Sequence, residues 1–344
     1  MGVSIQGAAF LWVIAAGLCT MVGASVVFFP QLANLAKPNV LAISLGFAAG
    51  IMIYISLVDI YTKSIAGFED DGYEEGDAFI YATLTFFGGC IIMLVLDWAV
   101  DVLLAWDTKR NSSSNNGGDG TNADSVVVDH HHATLAGAAP QDGDTLDKIR
   151  EDFQAKIEAE TEGNAGIADN EDDEDDDMKG GNGGQPVSEG GKEDLVHMGW
   201  AMAASIAIHN FPEGMVTYLA YVSDPAVGIA LAIGIGVHNV PEGLCVAMPL
   251  YYATGRRFYS FAWGTLSGLT EPIGALVVWL ILKEGISGVA NGILFGIVAG
   301  MMTVISIDEL LPTAHNYTSN PKQVTYSFLF GMLFIAASLM LFNA

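Results

Sequence analysis

Eight apolar stretches, at residues 7–29, 39–62, 77–105, 195–220, 226–250, 258–282, 286–312 and 323–342, dominate this chain and leave it little choice of surroundings. About twenty residues of helix, rising ~1.5 Å each, cross the ~30 Å of hydrocarbon in a bilayer. Inside hydrocarbon every backbone N–H and C=O needs a partner from the chain itself, and a run of this length finds those partners as an α-helix. The expectation is an all-α polytopic membrane protein with eight transmembrane helices. No charged segment precedes the first run, which argues for a retained span over a cleaved signal peptide.

The charge sits elsewhere. Of the 344 residues 51% are hydrophobic, yet the formal charge is −26, so the two properties must belong to different segments. Residues 107–194 hold 23 of the 39 acidic residues against 7 of the 13 basic ones, a net of −16. This gives three parts: helices 1–3 over 1–106, an acidic loop over 107–194, and helices 4–8 over 195–344. The loop is rich in Gly, Ser, Asn and Asp and cannot bury enough apolar surface to fold alone, so it is expected to be disordered. Within it, Leu146, Ile149, Phe153 and Ile157 fall near helical spacing over 144–160, and His130-His131-His132 could hold a metal weakly.

Basic flanks set the orientation. Lys37, Lys109, Arg110, Arg256, Arg257 and Lys322 fall on one side of the eight spans, and Lys63 and Lys283 on the other. The excess of Lys and Arg marks the cytoplasmic side, which places the loop in the cytoplasm and both termini outside the cell or in a lumen. The membrane is either the plasma membrane or that of an organelle. Cys19, Cys90 and Cys245 lie in separate apolar runs without paired spacing, so they suggest neither disulfides nor a thiolate metal site.

Two of the runs contain what lipid should exclude. His209-Asn210-Phe211-Pro212-Glu213-Gly214 and His238-Asn239-Val240-Pro241-Glu242-Gly243 are two copies of one pattern, 29 residues apart. A charged group near the bilayer centre costs at least ~3 kcal/mol, so an ionisable side chain at that depth marks function and calls for a partner. His and Glu four apart share one helix face, and each Pro frees the carbonyl one turn earlier, at Ile208 and Val237. Glu271, in Thr270-Glu271-Pro272, adds a third carboxylate near the middle of the sixth run. The set His209, Asn210, Glu213, His238, Asn239, Glu242 and Glu271 mixes nitrogen and oxygen donors without sulfur. That suits zinc, ferrous iron or manganese better than copper(I) or calcium. It exceeds what one tetrahedral zinc needs, so two metals bridged by Glu213 and Glu242, or one metal moving among spare ligands, both fit.

Polar residues lead away from this set. His197, Ala201, Ser205, His209 and Glu213 repeat every four residues along the fourth run. Met52, Ser56 and Asp59 share a face in the second, and Ser306, Asp308 and Glu309 precede Pro312 in the seventh, with His315 beyond. These read as a transport pathway. Asp97 and Asp101 in the third run are assigned to an interface or inner vestibule with no metal. Glu69, Asp70, Asp71, Glu74, Glu75 and Asp77 between the second and third runs would either gather cations at an entrance or form a solvated turn. Gly292, Gly296 and Gly300 make a close-packing helix face.

The two HNxPEG elements, Ala49-Gly50-Ile51-Met52-Ile53-Tyr54, Glu271 and Asp308-Glu309-Leu310-Leu311-Pro312 together resemble the ZIP family of divalent-metal transporters, in particular its bacterial-type ZupT branch. The resemblance extends over all eight spans. It implies a binuclear centre at the membrane midplane, with His209, Glu213, His238 and Glu242 forming one site. Asn210, Asn239 and Glu271, with the shared glutamates, would form the other.

The expected function is import of zinc, with iron or manganese, into the cytoplasm, with no catalytic cofactor and no enzyme activity. The metal is the cargo, the bilayer is the setting and no nucleic-acid partner is expected. A second copy, forming a homodimer, is a further candidate partner. The rival from another class is an intramembrane zinc-dependent hydrolase, which would use the same ligands to activate water. It lacks an HExxH element and has no need of polar stripes leading to both faces. A metal-gated receptor signalling through the acidic loop is a third reading.

Overall fold

The computed structural model describes residues 4–29, 38–115, 189–282 and 287–343, and every regular element among them is helical. Helix α1 (Ile5–Ala24) ends in a 3-10 turn (Ser25–Phe28). Helix α2 (Pro38–Tyr54) continues through a π-helical turn (Ile55–Ile60) into α3 (Tyr61–Asp70), and α4 (Glu75–Asn115) follows. Helices α5 (Glu189–Ser223) and α6 (Pro225–Thr254) carry the repeated pattern. Helices α7 (Arg257–Gly268) and α8 (Thr270–Leu282) are the two halves of one broken span. Helix α9 (Gly288–Val304) runs through a second π-helical turn (Ile305–Leu310) into α10 (Leu311–Asn316), and α11 (Pro321–Asn343) closes the chain.

Local chemistry accounts for the helix ends. Ser4 Oγ accepts from Gly7 N at 3.1 Å to cap α1. Asp224 caps α6 by accepting from Ala226 N at 2.9 Å and Val227 N at 3.4 Å, with Pro225 supplying a first residue that needs no partner. Gly255 ends α6 at φ 67°, the left-handed region in which a side chain is strained. Asp71, in the acidic stretch, accepts from Val289 N at 2.6 Å and ties the tip after α3 to the start of α9. Its acidic neighbours point into solvent.

Among the described residues seven helical runs are long and apolar enough to cross a membrane: Ile5–Phe28, Asn39–Asp70, Glu75–Val100, Pro225–Met248, Arg257–Leu282, Gly288–Asn316 and Pro321–Leu341. Helix α5, with 35 residues, supplies the fourth crossing of the all-α membrane fold. The helices on either side of the acidic loop reach into it, α4 to Asn115 and α5 from Glu189. The rest of the loop, with the 144–160 amphipathic segment and His130–His132, lies outside the described residues. The most apolar stretch of Pro225–Met248 is 72% buried and that of Glu75–Val100 only 17%, so α6 lies at the centre of the bundle and α4 at its lipid rim.

Close packing reveals an internal repeat. Residues 38–60 and 288–310, 250 apart, form the same 17-residue helix and six-residue π turn, and share Gly46/Gly296, Ala49/Ala299, Gly50/Gly300, Met52/Met302, Ile55/Ile305 and Ser56/Ser306. A Cβ on Gly50 would lie 2.0 Å from the Phe328 carbonyl oxygen, and one on Gly300 1.9 Å from that of Phe86. So α2 lies on α11 as α9 lies on α4. The first and sixth spans match too, through Phe10/Phe261, Trp12/Trp263, Gly17/Gly268, Gly23/Gly274 and Ala24/Ala275. A Cβ on Gly243 of α6 would lie 1.9 Å from the Thr20 oxygen of α1, and one on Gly214 of α5 1.9 Å from the Glu271 oxygen of α8. Helices touch this closely in lipid because small residues let backbones meet, which stands in for the missing hydrophobic drive. Spans 1–3 and 6–8 are thus two copies, five crossings apart and opposite in direction, around the pair α5 and α6.

Candidate metal centre

Pro212 lies within α5 and Pro241 within α6, and neither interrupts its helix. Each lacks an N–H, which leaves the Ile208 and Val237 carbonyls without their usual helical donors. In the sixth span α7 stops at Gly268, Leu269 turns, and α8 restarts at Thr270, which puts Glu271 and Pro272 in the first turn of α8. Interrupted helices of this kind at mid-membrane are tolerated where they line a buried polar site.

The two histidines are held alike. His209 Nδ1 lies 2.5 Å from the Ser205 carbonyl oxygen, and His238 Nδ1 lies 3.2 Å from that of Gly234, each one turn back on its own helix. A carbonyl only accepts, so Nδ1 carries the hydrogen, and in its neutral form the ring turns the lone pair of Nε2 inward. A backbone partner on one ring nitrogen is how proteins orient imidazoles that bind metals through the other. His238 Nε2 lies 3.0 Å from Glu213 Oε1, and His209 Nε2 lies 3.4 Å from Glu309 Oε2. A lone pair facing a carboxylate needs something positive between them, either a proton or a cation.

All seven residues of the expected set are fully buried. Ligand atoms of Glu213, His238 and Glu242 lie within 4.8 Å of one another. Asn210 Nδ2 donates to the Ser267 carbonyl at 3.1 Å, while Asn239 Nδ2 reaches the Ala16 carbonyl at 3.1 Å and Glu271 Oε1 at 2.5 Å. Both amide nitrogens are therefore engaged as donors. The atoms left without a hydrogen-bond partner are His209 Nε2, Asn210 Oδ1, Glu213 Oε2, Asn239 Oδ1, both Glu242 oxygens and Glu271 Oε2. Every one of them offers a lone pair. Burying a single unpaired carboxylate costs several kcal/mol, about 3 to 5 when a partner is taken away, and here three are buried together. Only positive charge balances such a set.

A second polar group adjoins the first. Ser205 Oγ donates to Glu309 Oε2, the oxygen that also faces His209. Asp97 on α4, 7% exposed, meets the Glu309 carboxyl group and is close enough to feel His209 and Asp308. The assignment of Asp97 to an interface or vestibule is thereby refined: no ligand-like residues surround it in sequence, and its polar neighbours come from α5 and the π turn before α10. Asp308, next to Glu309 in the π turn, is half-buried, and His315 is exposed. Asp59 forms an ion pair with Lys63 at 2.6 Å, and Ser56, buried beside it in the π turn, has no partner for Oγ. The side chains of His197, Ala201 and Asp101 lie outside the described residues.

Thr20 on α1 is absent from the expected set, yet it is fully buried with no partner for Oγ1. The one sequence signal that points to it is the first-to-sixth-span repeat, which sets Thr20 opposite Glu271.

A family model described as ZIP Zinc transporter matches residues 7–343. The chain is 33% identical over 330 residues to a zinc transporter ZupT of Stenotrophomonas maltophilia (strain K279a), covering 96% of this chain and 94% of that protein. It is 34% identical over 338 residues to the ZupT of Xanthomonas axonopodis pv. citri (strain 306), covering 97% and 96%. With the ZupT of Clostridium perfringens (strain 13 / Type A) it shares 31% over 337 residues, covering 97% and 95%. The match runs from the first span to the last and takes in both copies of the pattern, and the chain belongs to the ZIP zinc transporter family.

Proposed function

We propose that the protein carries divalent metal ions, zinc foremost and iron or manganese with it, across a membrane into the cytoplasm through a binuclear centre between α5 and α6. The observation that carries this reading is the buried set in which all unpartnered atoms are acceptors. In the proposal, His209, Glu213, His238 and Glu242 hold one ion. Asn210, Asn239 and Glu271, with the two shared glutamates, hold the other. The ligands replace the hydration shell, and release follows because neutral amides and shared carboxylates bind each ion less tightly than a closed four-ligand site. Ser205, Asp97, Asp308 and Glu309 continue the route on one side, and Ser56 and Asp59 on the other. His197 and His315 are assigned to its inner mouth.

The hydrolase reading has no support from the relatives, which are named as transporters. Reconstituted vesicles loaded with a zinc-sensitive dye, with competing iron and manganese, test the proposal. Absence of protein-dependent flux for all three would overturn it.

The proposal extends to orientation, with both termini outside the cell or in a lumen and the acidic loop in the cytoplasm. The relatives are bacterial, which favours a cell membrane over an organelle. Protease added to sealed right-side-out vesicles should spare the loop. It also extends to a homodimer, for which α4 offers an exposed apolar face at Leu84, Phe87, Ile91, Val95 and Trp98. Its mass in detergent by light scattering is the check.

Protons compete with metal for the same lone pairs, so binding should weaken on acidification. With an ordinary imidazole value of ~6.5, affinity should be tighter at about pH 7.5 than at about pH 5.5. Replacing both His209 and His238 with Gln should shrink the difference. Calorimetry in detergent reads it, and equal affinities in the unaltered protein would remove the histidines from the ligand set.

A further inference from the structure

Building on the metal-centre reading, we infer that the Thr20 hydroxyl is a further metal-ligating oxygen of the centre, the uncharged counterpart of Glu271 in the other half of the repeat. The first and sixth spans cross at Gly17 and Gly268. A Cβ on either glycine would lie 2.7 Å from the carbonyl oxygen of the other. Beyond that crossing Leu18, Gly23 and Ala24 match Leu269, Gly274 and Ala275, and Thr20 takes the place of Glu271. A Cβ on Gly17 would lie 3.4 Å from Glu271 Oε1, and one on Gly268 would lie 2.9 Å from Thr20 Oγ1.

The amides obey the same relation. Asn239 donates to the Ala16 carbonyl and Asn210 to that of Ser267, both at 3.1 Å, and Ala16 and Ser267 are equivalent residues of the first and sixth spans. Asn239 then meets Glu271. The residue standing in that relation to Asn210 is Thr20.

Thr20 is fully buried and Oγ1 has no hydrogen-bond partner. A helical threonine ordinarily turns its hydroxyl back onto the carbonyl four residues earlier. Here that carbonyl is Ala16's, which receives Asn239. The hydroxyl lies instead against Gly268, next to the residue that anchors Asn210, while the Thr20 carbonyl oxygen meets Gly243, next to Glu242. A hydroxyl adds a ligand oxygen without adding charge. A fourth carboxylate at this point would deepen the binding and slow release, so the hydroxyl suits a centre that must let its ion go.

The test is zinc titration by calorimetry on the purified full chain in detergent, comparing Thr20→Val, Thr20→Ser and Glu242→Ala with the unaltered protein. Valine keeps the shape and removes the oxygen, whereas serine keeps the oxygen and removes a methyl. Thr20→Val should weaken one of two zinc-binding events by about 10-fold and leave the other in place, with Thr20→Ser close to the unaltered protein. A purely packing role reverses the order, with serine the more disturbed. Thr20→Val binding both ions with unchanged affinity, while Glu242→Ala loses them, would overturn this inference and leave the centre standing. Glu242→Ala binding like the unaltered protein would instead overturn the centre.

Discussion

Replacing Glu213 or Glu242 with Ala is expected to abolish metal flux while the protein still inserts and folds. Each carboxylate lies at the meeting of α5 and α6, fully buried, in the group whose ligand atoms come within 4.8 Å of one another. A unit charge about 4 Å from another is worth about 4 kcal/mol at the effective dielectric of a protein, roughly a thousandfold in binding, and a dication gains more. The two variants should differ in stability without metal. Glu242 has no hydrogen-bond partner for either oxygen, so its removal relieves a buried charge and should leave metal-free melting unchanged or raised. Glu213 faces His238 Nε2 at 3.0 Å, so its loss strands the imidazole and should lower melting. Zinc at about 100 times its Kd should stabilise the unaltered protein by about 2.7 kcal/mol, and that rise in melting should vanish in Glu242→Ala. Flux near normal in either variant would overturn the bridging role.

The second large effect belongs to a residue without a side chain. In Gly214→Ala the new methyl would lie 1.9 Å from the Glu271 carbonyl oxygen, 2.5 Å from its carbon and 2.6 Å from its Cα. Those are backbone atoms, so α5 and α8 must move apart. Overpacking usually costs about 1 to 3 kcal/mol, and a clash with backbone should reach or pass the top of that range. The move also displaces Glu271, so flux should fall together with thermal stability in detergent. Gly88→Ala, where nothing lies within 4 Å, is the control and should change neither. Gly214→Ala that melts and transports normally would show that the two helices are not in contact at this point.

Much of the centre is legible in the residues alone. Ionisable residues inside apolar runs are rare enough to announce themselves, and a spacing of four puts His209 with Glu213, and His238 with Glu242, on single helix faces. Asp97 is not legible in this way, because its neighbours in sequence are apolar whereas its neighbours in space are Glu309 and His209. Thr20 carries no charge and so stands out from its apolar run even less. The repeat that pairs it with Glu271 is scattered over identities such as Trp12/Trp263 and Gly17/Gly268, too sparse to recognise without the packing that shows which residues correspond.

By itself, then, the sequence determined the helices, their passage through lipid and the ionisable and amide residues on one face each of α5 and α6. Hydrocarbon forces the backbone into helix, and helical periodicity assigns each side chain a face. Only the tertiary structure decided which acceptors converge without donors, that Glu309 joins Ser205 and His209, and that Thr20 stands opposite Glu271. Those relations join helices up to about 250 residues apart, where local periodicity carries no information and the close approach of glycine-lined backbones sets every distance.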